Sequence, residues 1–137
     1  MSEIKYKSKW VPPYNKEGKP FFTHKIFSKM AGVYIIKRGS KILYVGSSQY
    51  NLYKTLYRHF ETWYHKYQKV ITYASNLTDI KVRVFITTYA AAPKWEAYFL
   101  RKLDPPDNDL SVWYKIRPQE AKQMDQIVSQ TEEEDPF

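Results

Sequence analysis

At 137 residues, with 43% hydrophobic and 18% aromatic side chains, the chain has the length of one domain and enough apolar mass for a single core. It contains no cysteine, which excludes a disulfide framework and a thiolate zinc site. No apolar run is long enough for a membrane span or a signal peptide, so the expected location is cytoplasmic and no membrane partner is expected. The formal charge is +8; four of the 14 acidic residues cluster in Glu132–Asp135, so residues 1–131 carry 22 basic against 10 acidic side chains, a bias that favours nucleic acid as a polyanionic partner.

Residues 1–30 combine Trp10, Phe21, Phe22 and Phe27 with several lysines. Pro12-Pro13 and Gly18-Lys19-Pro20 break any long helix, while the aromatics argue against a solvated tail. The segment reads as an aromatic, basic arm packed along the domain, with direct contact to nucleic acid through stacking rings as the alternative.

Val33–Ile36 and Ile42–Val45 are β-rich runs joined by Lys37-Arg38-Gly39-Ser40-Lys41, and they read as a β-hairpin. With Lys37 facing Lys41 across a three-residue loop, Ile36 pairs with Ile42, Ile35 with Leu43, Tyr34 with Tyr44 and Val33 with Val45. Alternation then places Tyr34 beside Tyr44 on one surface and Val33, Ile35, Leu43 and Val45 on the other.

After Gly46, the polar loop Ser47-Ser48-Gln49-Tyr50 leads to Asn51, an N-cap for a helix with Leu52, Leu56 and Phe60 on its apolar side. Its polar side offers Lys54, Arg58 and His59. Glu61–Gln68 can extend this helix, and Lys69–Ala74 reads equally as strand or irregular chain. His24, His59 and His65 are widely separated, with no pair at a recognised metal-ligand spacing, which argues against a histidine metal cluster.

Ile80–Thr87 alternates Ile80, Val82, Val84 and Ile86 against Lys81, Arg83 and Phe85, which predicts a half-buried third strand. Pro93 sits near a helix start, and Trp95, Phe99 and Leu103 follow at helical spacing, with Glu96 beside that stripe, able to border the core and still reach a site. Asp104-Pro105-Pro106-Asp107 stops the helix, and Asn108 follows in a loop. Val112–Ile116 predicts a short strand or extended strip, Pro118–Ser129 a final helix, and the TEEEDPF tail a solvated end. There is no internal repeat.

GVY at 32–34, YVG at 44–46 and NLYKTLYRHF at 51–60 resemble the core of the GIY-YIG endonucleases. EAYFLRKLDPPDN at 96–108 resembles that family's closing pattern of a metal-binding glutamate on a helix, then a proline and an asparagine. The resemblance covers Ala31–Asn108 and implies an α/β (α+β) fold, a small three-stranded, mainly antiparallel sheet flanked by helices. The chain would divide into the arm (1–30), the nuclease-like domain (31–117) and a C-terminal helix with its acidic tail (118–137).

The resemblance further implies a metal-dependent DNA endonuclease. Glu96 would bind a divalent metal, Mg²⁺ first and Mn²⁺ second; Tyr34 would help activate the nucleophilic water, with Tyr44 orienting it or sharing the work; Asn108 would complete the set. Lys54, Arg58, Gly46 and Ser47 would contact the nucleic acid. Aligned on the family's pattern, Thr55 stands where the catalytic arginine normally lies. Arg58 is three residues further on the same helix face and is the expected replacement on the scissile phosphate. Because a phenol with a pKa of about 10 is a poor base at neutral pH, His59 is a candidate proton acceptor. The alternative is that Thr55 marks a nucleic-acid-binding module that keeps the fold with little or no catalysis. No separate recognition module is visible, so sequence specificity would need the terminal arms, a homodimer or an accessory protein.

Overall fold

The computed structural model describes residues 4–61, 71–108 and 118–131. The helical extension over 62–68, His65, the strip over 112–116 and the acidic tail lie outside the described residues.

The elements run β1 (Ile4–Lys7), α1 (His24–Phe27), β2 (Ala31–Arg38), β3 (Lys41–Ser48), α2 (Leu52–Tyr57) continued by a 3₁₀ turn (Arg58–Phe60), β4 (Ile80–Thr87), α3 (Ala92–Leu103) and α4 (Pro118–Thr131). The strands form one sheet in the order β1-β4-β2-β3, with every neighbouring pair antiparallel. The architecture is the expected α+β sheet flanked by helices, with four strands instead of three. The additional strand comes from the arm, whose Ile4–Lys7 pairs with the free edge of β4.

The hairpin register differs from the expected one. β2 ends at Arg38, opposite Lys41, so the connection is the two-residue turn Gly39-Ser40. Gly39 has φ +58° and Ser40 does not take a positive φ, the pattern of a II′ turn, which a glycine in the first position makes strain-free. A plain two-residue turn would pair Tyr44 with Ile35 and send its ring to the opposite face. A bulge beyond Ile36 and Lys37 inserts one residue, Leu43, so that Ile36 faces Tyr44, Ile35 faces Val45 and Tyr34 faces Gly46. Tyr34 and Tyr44 therefore share a face as diagonal neighbours and not as a direct pair. Leu43 moves to the tyrosine side of the sheet, and Ile42 takes the opposite side.

Both faces are covered. On one, Tyr34, Ile36, Val82, Val84 and Ile86 pack against Leu52, Leu56, Tyr57 and Phe60 and against Phe22 of the arm. On the other, Val33, Ile35, Val45 and Phe85 pack against Trp95, Tyr98, Phe99 and Leu100 of α3 and Met124 and Val128 of α4. Each large side chain so buried contributes roughly 1.5–3 kcal/mol. Lying between β1 and β2 under two helical layers, β4 is buried on both faces and not half-buried as its alternation predicted; even Arg83 has no exposed surface. Its Nε donates to the Ser8 carbonyl at 3.0 Å, and its guanidinium lies 5.0 Å from the Trp10 ring centre, on which Lys37 Nζ also sits at 4.2 Å.

Three hydrogen bonds, one local and two long-range, fix the elements that carry the site. Asn51 Oδ1 accepts from Lys54 N at 2.9 Å, the expected N-cap of α2. Tyr57 of α2 donates its hydroxyl to the Pro13 carbonyl at 2.7 Å and accepts from Phe22 N at 2.9 Å, which pins the arm to the helix. Glu61 is extended, so the helix ends at Phe60, and Ile71–Ala74 forms no strand; Tyr73 N instead donates to the His59 carbonyl at 2.7 Å. α3 begins with Pro93 in its first turn and ends at Asp104, whose left-handed φ of +43° closes it as the sequence stop predicted.

Candidate active site

β2 and β3 bring Tyr34 and Tyr44 together with ring centres 6.2 Å apart and planes inclined by only 21°. His59, from the turn after α2, packs against both, 5.4 Å from the Tyr34 ring and 4.6 Å from that of Tyr44. Tyr34 and His59 are fully buried, while Tyr44 keeps part of its surface accessible.

Glycine 46 is what lets Tyr34 lie this way: a Cβ on Gly46 would stand 2.3 Å from the phenol oxygen. Gly46 therefore packs beneath the phenol.

The hydrogen bonds around His59 define its tautomer. Nδ1 lies 2.7 Å from the Ile71 carbonyl oxygen, which can only accept, so Nδ1 carries the proton. Nε2 is then a lone-pair acceptor, 2.7 Å from the Tyr34 hydroxyl. Burial, opposed by the Ile71 carbonyl and reinforced by the nearby Arg58 charge, pushes the imidazole pKa down to about 4, and the ring is neutral at pH 7. The Thr55 carbonyl is a second, longer acceptor for Tyr34 at 3.3 Å.

Burial also holds the Tyr34 phenol well above its usual range, with the Tyr44 and Glu96 charges acting in the same direction and Arg58 opposing. Arg58 hydrogen-bonds to that phenol, so its guanidinium reaches the tyrosine pair from the turn that also carries His59. Tyr44 is likewise raised by burial and by Glu96, and lowered by Arg58. Both phenols thus sense one cation and one carboxylate.

Glu96 sits on the second turn of α3, half-buried, with its pKa raised by burial and held back by a hydrogen bond from the Ser47 hydroxyl. A carboxylate partly stripped of water, with one neutral donor, suits a hard divalent cation that completes its shell with water and substrate oxygens. Among the described residues, no group of three or more His, Cys, Asp or Glu could hold a metal.

Asn108 lies at the outer edge of β3. Its Oδ1 accepts from Val45 N at 2.9 Å and its Nδ2 donates to Val45 O at 2.8 Å, so the side chain imitates a neighbouring strand and clamps the post-α3 loop beside Tyr44. Lys54 is exposed and shares with His24, Asn51, Tyr53, Tyr57, Arg58 and Glu61 a cleft of about 290 Å³. Sequence reasoning missed Tyr73 and Asp107, which are hydrogen-bonded at 2.8 Å; Asp107 N also donates to Leu43 O at 3.0 Å. No spacing pattern links these two residues, which meet only when the 71–79 segment and the post-α3 loop converge on β3.

Residues 30–111, more than half of the chain, match the GIY-YIG catalytic domain. The chain belongs to the GIY-YIG family, and its fold is of the nuclease type. No curated protein and no solved structure matches it. No helix among the described residues is long and apolar enough to cross a membrane.

Proposed function

We propose that the chain is a metal-dependent DNA endonuclease that hydrolyses phosphodiester bonds. The observation that carries this reading is the convergence of Tyr34, Tyr44, Arg58, His59 and Glu96 from two strands, a turn and a helix. Arg58 holds the scissile phosphate, and Asn108 keeps β3 and the Tyr44 side of the site in place through Val45. Glu96 would hold a divalent cation, Mg²⁺ or Mn²⁺, which would supply charge neutralisation in the transition state.

The phenol does not have to ionise. As the attacking water gives a proton to the Tyr34 oxygen, Tyr34 passes its own to His59 Nε2, 2.7 Å away, and the Ile71 carbonyl steadies the imidazolium that forms. The water oxygen bonds to phosphorus, the P–O bond to the leaving strand end breaks, and the departing oxygen takes a proton from solvent, giving an alcohol and a phosphate monoester; His59 returns its proton through Tyr34 to solvent. Tyr34 is covered in the free protein, and Arg58 is part of that cover. When Arg58 turns to the phosphate it exposes the phenol oxygen to the water, which couples activation of the nucleophile to arrival of substrate.

Nicking of supercoiled plasmid in Mg²⁺, Mn²⁺ and EDTA tests this. Wild type is expected to cleave only with metal, and Glu96→Ala, Arg58→Ala and Tyr34→Phe are each expected to lose about 10²–10⁴-fold in rate. The full burial of Tyr34 favours a second reading, a binding module with little or no catalysis. Salt-sensitive DNA binding without cleavage by wild type would select it.

A further inference from the structure

Two tyrosines outside this constellation keep more than half of their surface exposed. Tyr50 is 71% exposed and Tyr89 51% exposed, yet they are tied to one another. The Tyr50 hydroxyl donates to that of Tyr89 at 2.9 Å, and the ring centres are 5.1 Å apart with planes inclined by 57°, an open corner. Gln49 Nε2 donates to the Tyr89 carbonyl at 3.0 Å and so fastens the two loops together. Two solvated hydroxyls gain little from each other, since water offers each the same bond, and neither ring is part of a core.

The corner lies where the two site-bearing segments meet. Tyr50 follows β3, whose Ser47 donates to Glu96, and comes just before the Asn51 cap of α2, the helix that leads into Arg58. Tyr89 lies in the short connection into α3, the helix of Glu96. The first turns of these helices add two exposed cations, Lys54 and Lys94. Exposed ring faces, with a lysine on each of the helices that follow them, complement a base with its flanking phosphates.

We propose that Tyr50 and Tyr89 form a stacking corner for one unpaired or extruded nucleobase beside the scissile phosphate. The substrate is then a strand with unstacked bases, at a junction, flap or gap, and not continuous duplex. In a continuous duplex both faces of each base are covered by its neighbours, so an exposed ring has nothing to stack on. The substrate assignment rests on the nuclease reading; the binding it predicts does not require cleavage.

The test uses full-length Glu96→Ala protein in EDTA, so that binding is read without turnover. The probes are a single strand of about 12 nucleotides carrying a central 2-aminopurine, and its duplex. Replacing both tyrosines by leucine is expected to weaken single-strand binding about ten-fold and to abolish 2-aminopurine quenching, with duplex affinity unchanged. Tyr50→Phe, which keeps the ring and loses the hydroxyl pair, is expected to bind as the parent does. Equal losses on both probes would overturn the proposal, as would no loss on either, the outcome expected if the pair docks a protein instead. Failure of the nuclease reading shows separately, as absent plasmid nicking by wild type while the single-strand difference persists.

Discussion

At the scale of single residues, His59 has the environment that most constrains chemistry. A histidine buried as the neutral tautomer, with a pKa of about 4 against about 6.5 in the unfolded chain, is protonated in the unfolded state first as pH falls. Its contribution to stability is therefore complete above pH 6.5 and is lost as pH drops from about 6.5 through about 4, by about 3 kcal/mol in all. His59→Gln keeps an acceptor for Tyr34 and removes the titration. The Tm advantage of wild type over this variant is expected to shrink steadily between pH 7 and pH 4 in calorimetric scans; a constant advantage would show that the ring is not held neutral. The same depressed pKa keeps Nε2 available to accept a proton at neutral pH. Thr55 and Arg58, one helical turn apart, both reach Tyr34, in different ways. Thr55 offers Tyr34 a main-chain carbonyl, whereas Arg58 brings the guanidinium.

At the scale of elements, the site depends on how β3 is set against its neighbours. The bulge at Leu43 returns Tyr44 to the face of Tyr34, and Asn108 holds the outer edge of the same strand through both polar groups of Val45. An aspartate at position 108 could accept from Val45 N but could not donate to Val45 O. Asn108→Asp is accordingly expected to cost about 1–2 kcal/mol by denaturant titration and to lower plasmid nicking more than the stability loss explains, because Tyr44 sits next to the clamp. An Asn108→Asp protein with wild-type stability would mean that the clamp contributes nothing.

At the scale of the whole molecule, the arm is part of the sheet. β1 closes the edge of β4, Ser8 supplies the acceptor for Arg83 Nε, and Trp10 lies against both Arg83 and Lys37. Deleting residues 1–8 is expected to lower stability by on the order of 3 kcal/mol, with a clear fall in Tm by circular dichroism, since a buried cation loses an acceptor and a ladder is removed. An arm that only contacted nucleic acid would leave Tm unchanged and lower affinity alone. The basic bias outside the acidic tail belongs to this scale too, as the salt-sensitive share of any affinity for DNA.

Local pattern by itself determined the hairpin, the Asn51 cap, the apolar stripes of α2 and α3, the stop at Asp104 and the resemblance that placed the chain in its family, because periodicity, capping and turn chemistry act over a few neighbouring residues. Tertiary structure alone decided the hairpin register, since the bulge depends on which side chains the helices cover. It also decided that the arm adds a strand, because a free edge on β4 exists only once the sheet has formed. The sequence offered His59 as a proton acceptor for the phenol, but the Tyr34–His59 hydrogen bond itself and the tautomer were decided by the tertiary structure. They need a strand, a turn and the Ile71 carbonyl brought to one point by burial, which also sets the charge state of the groups it encloses.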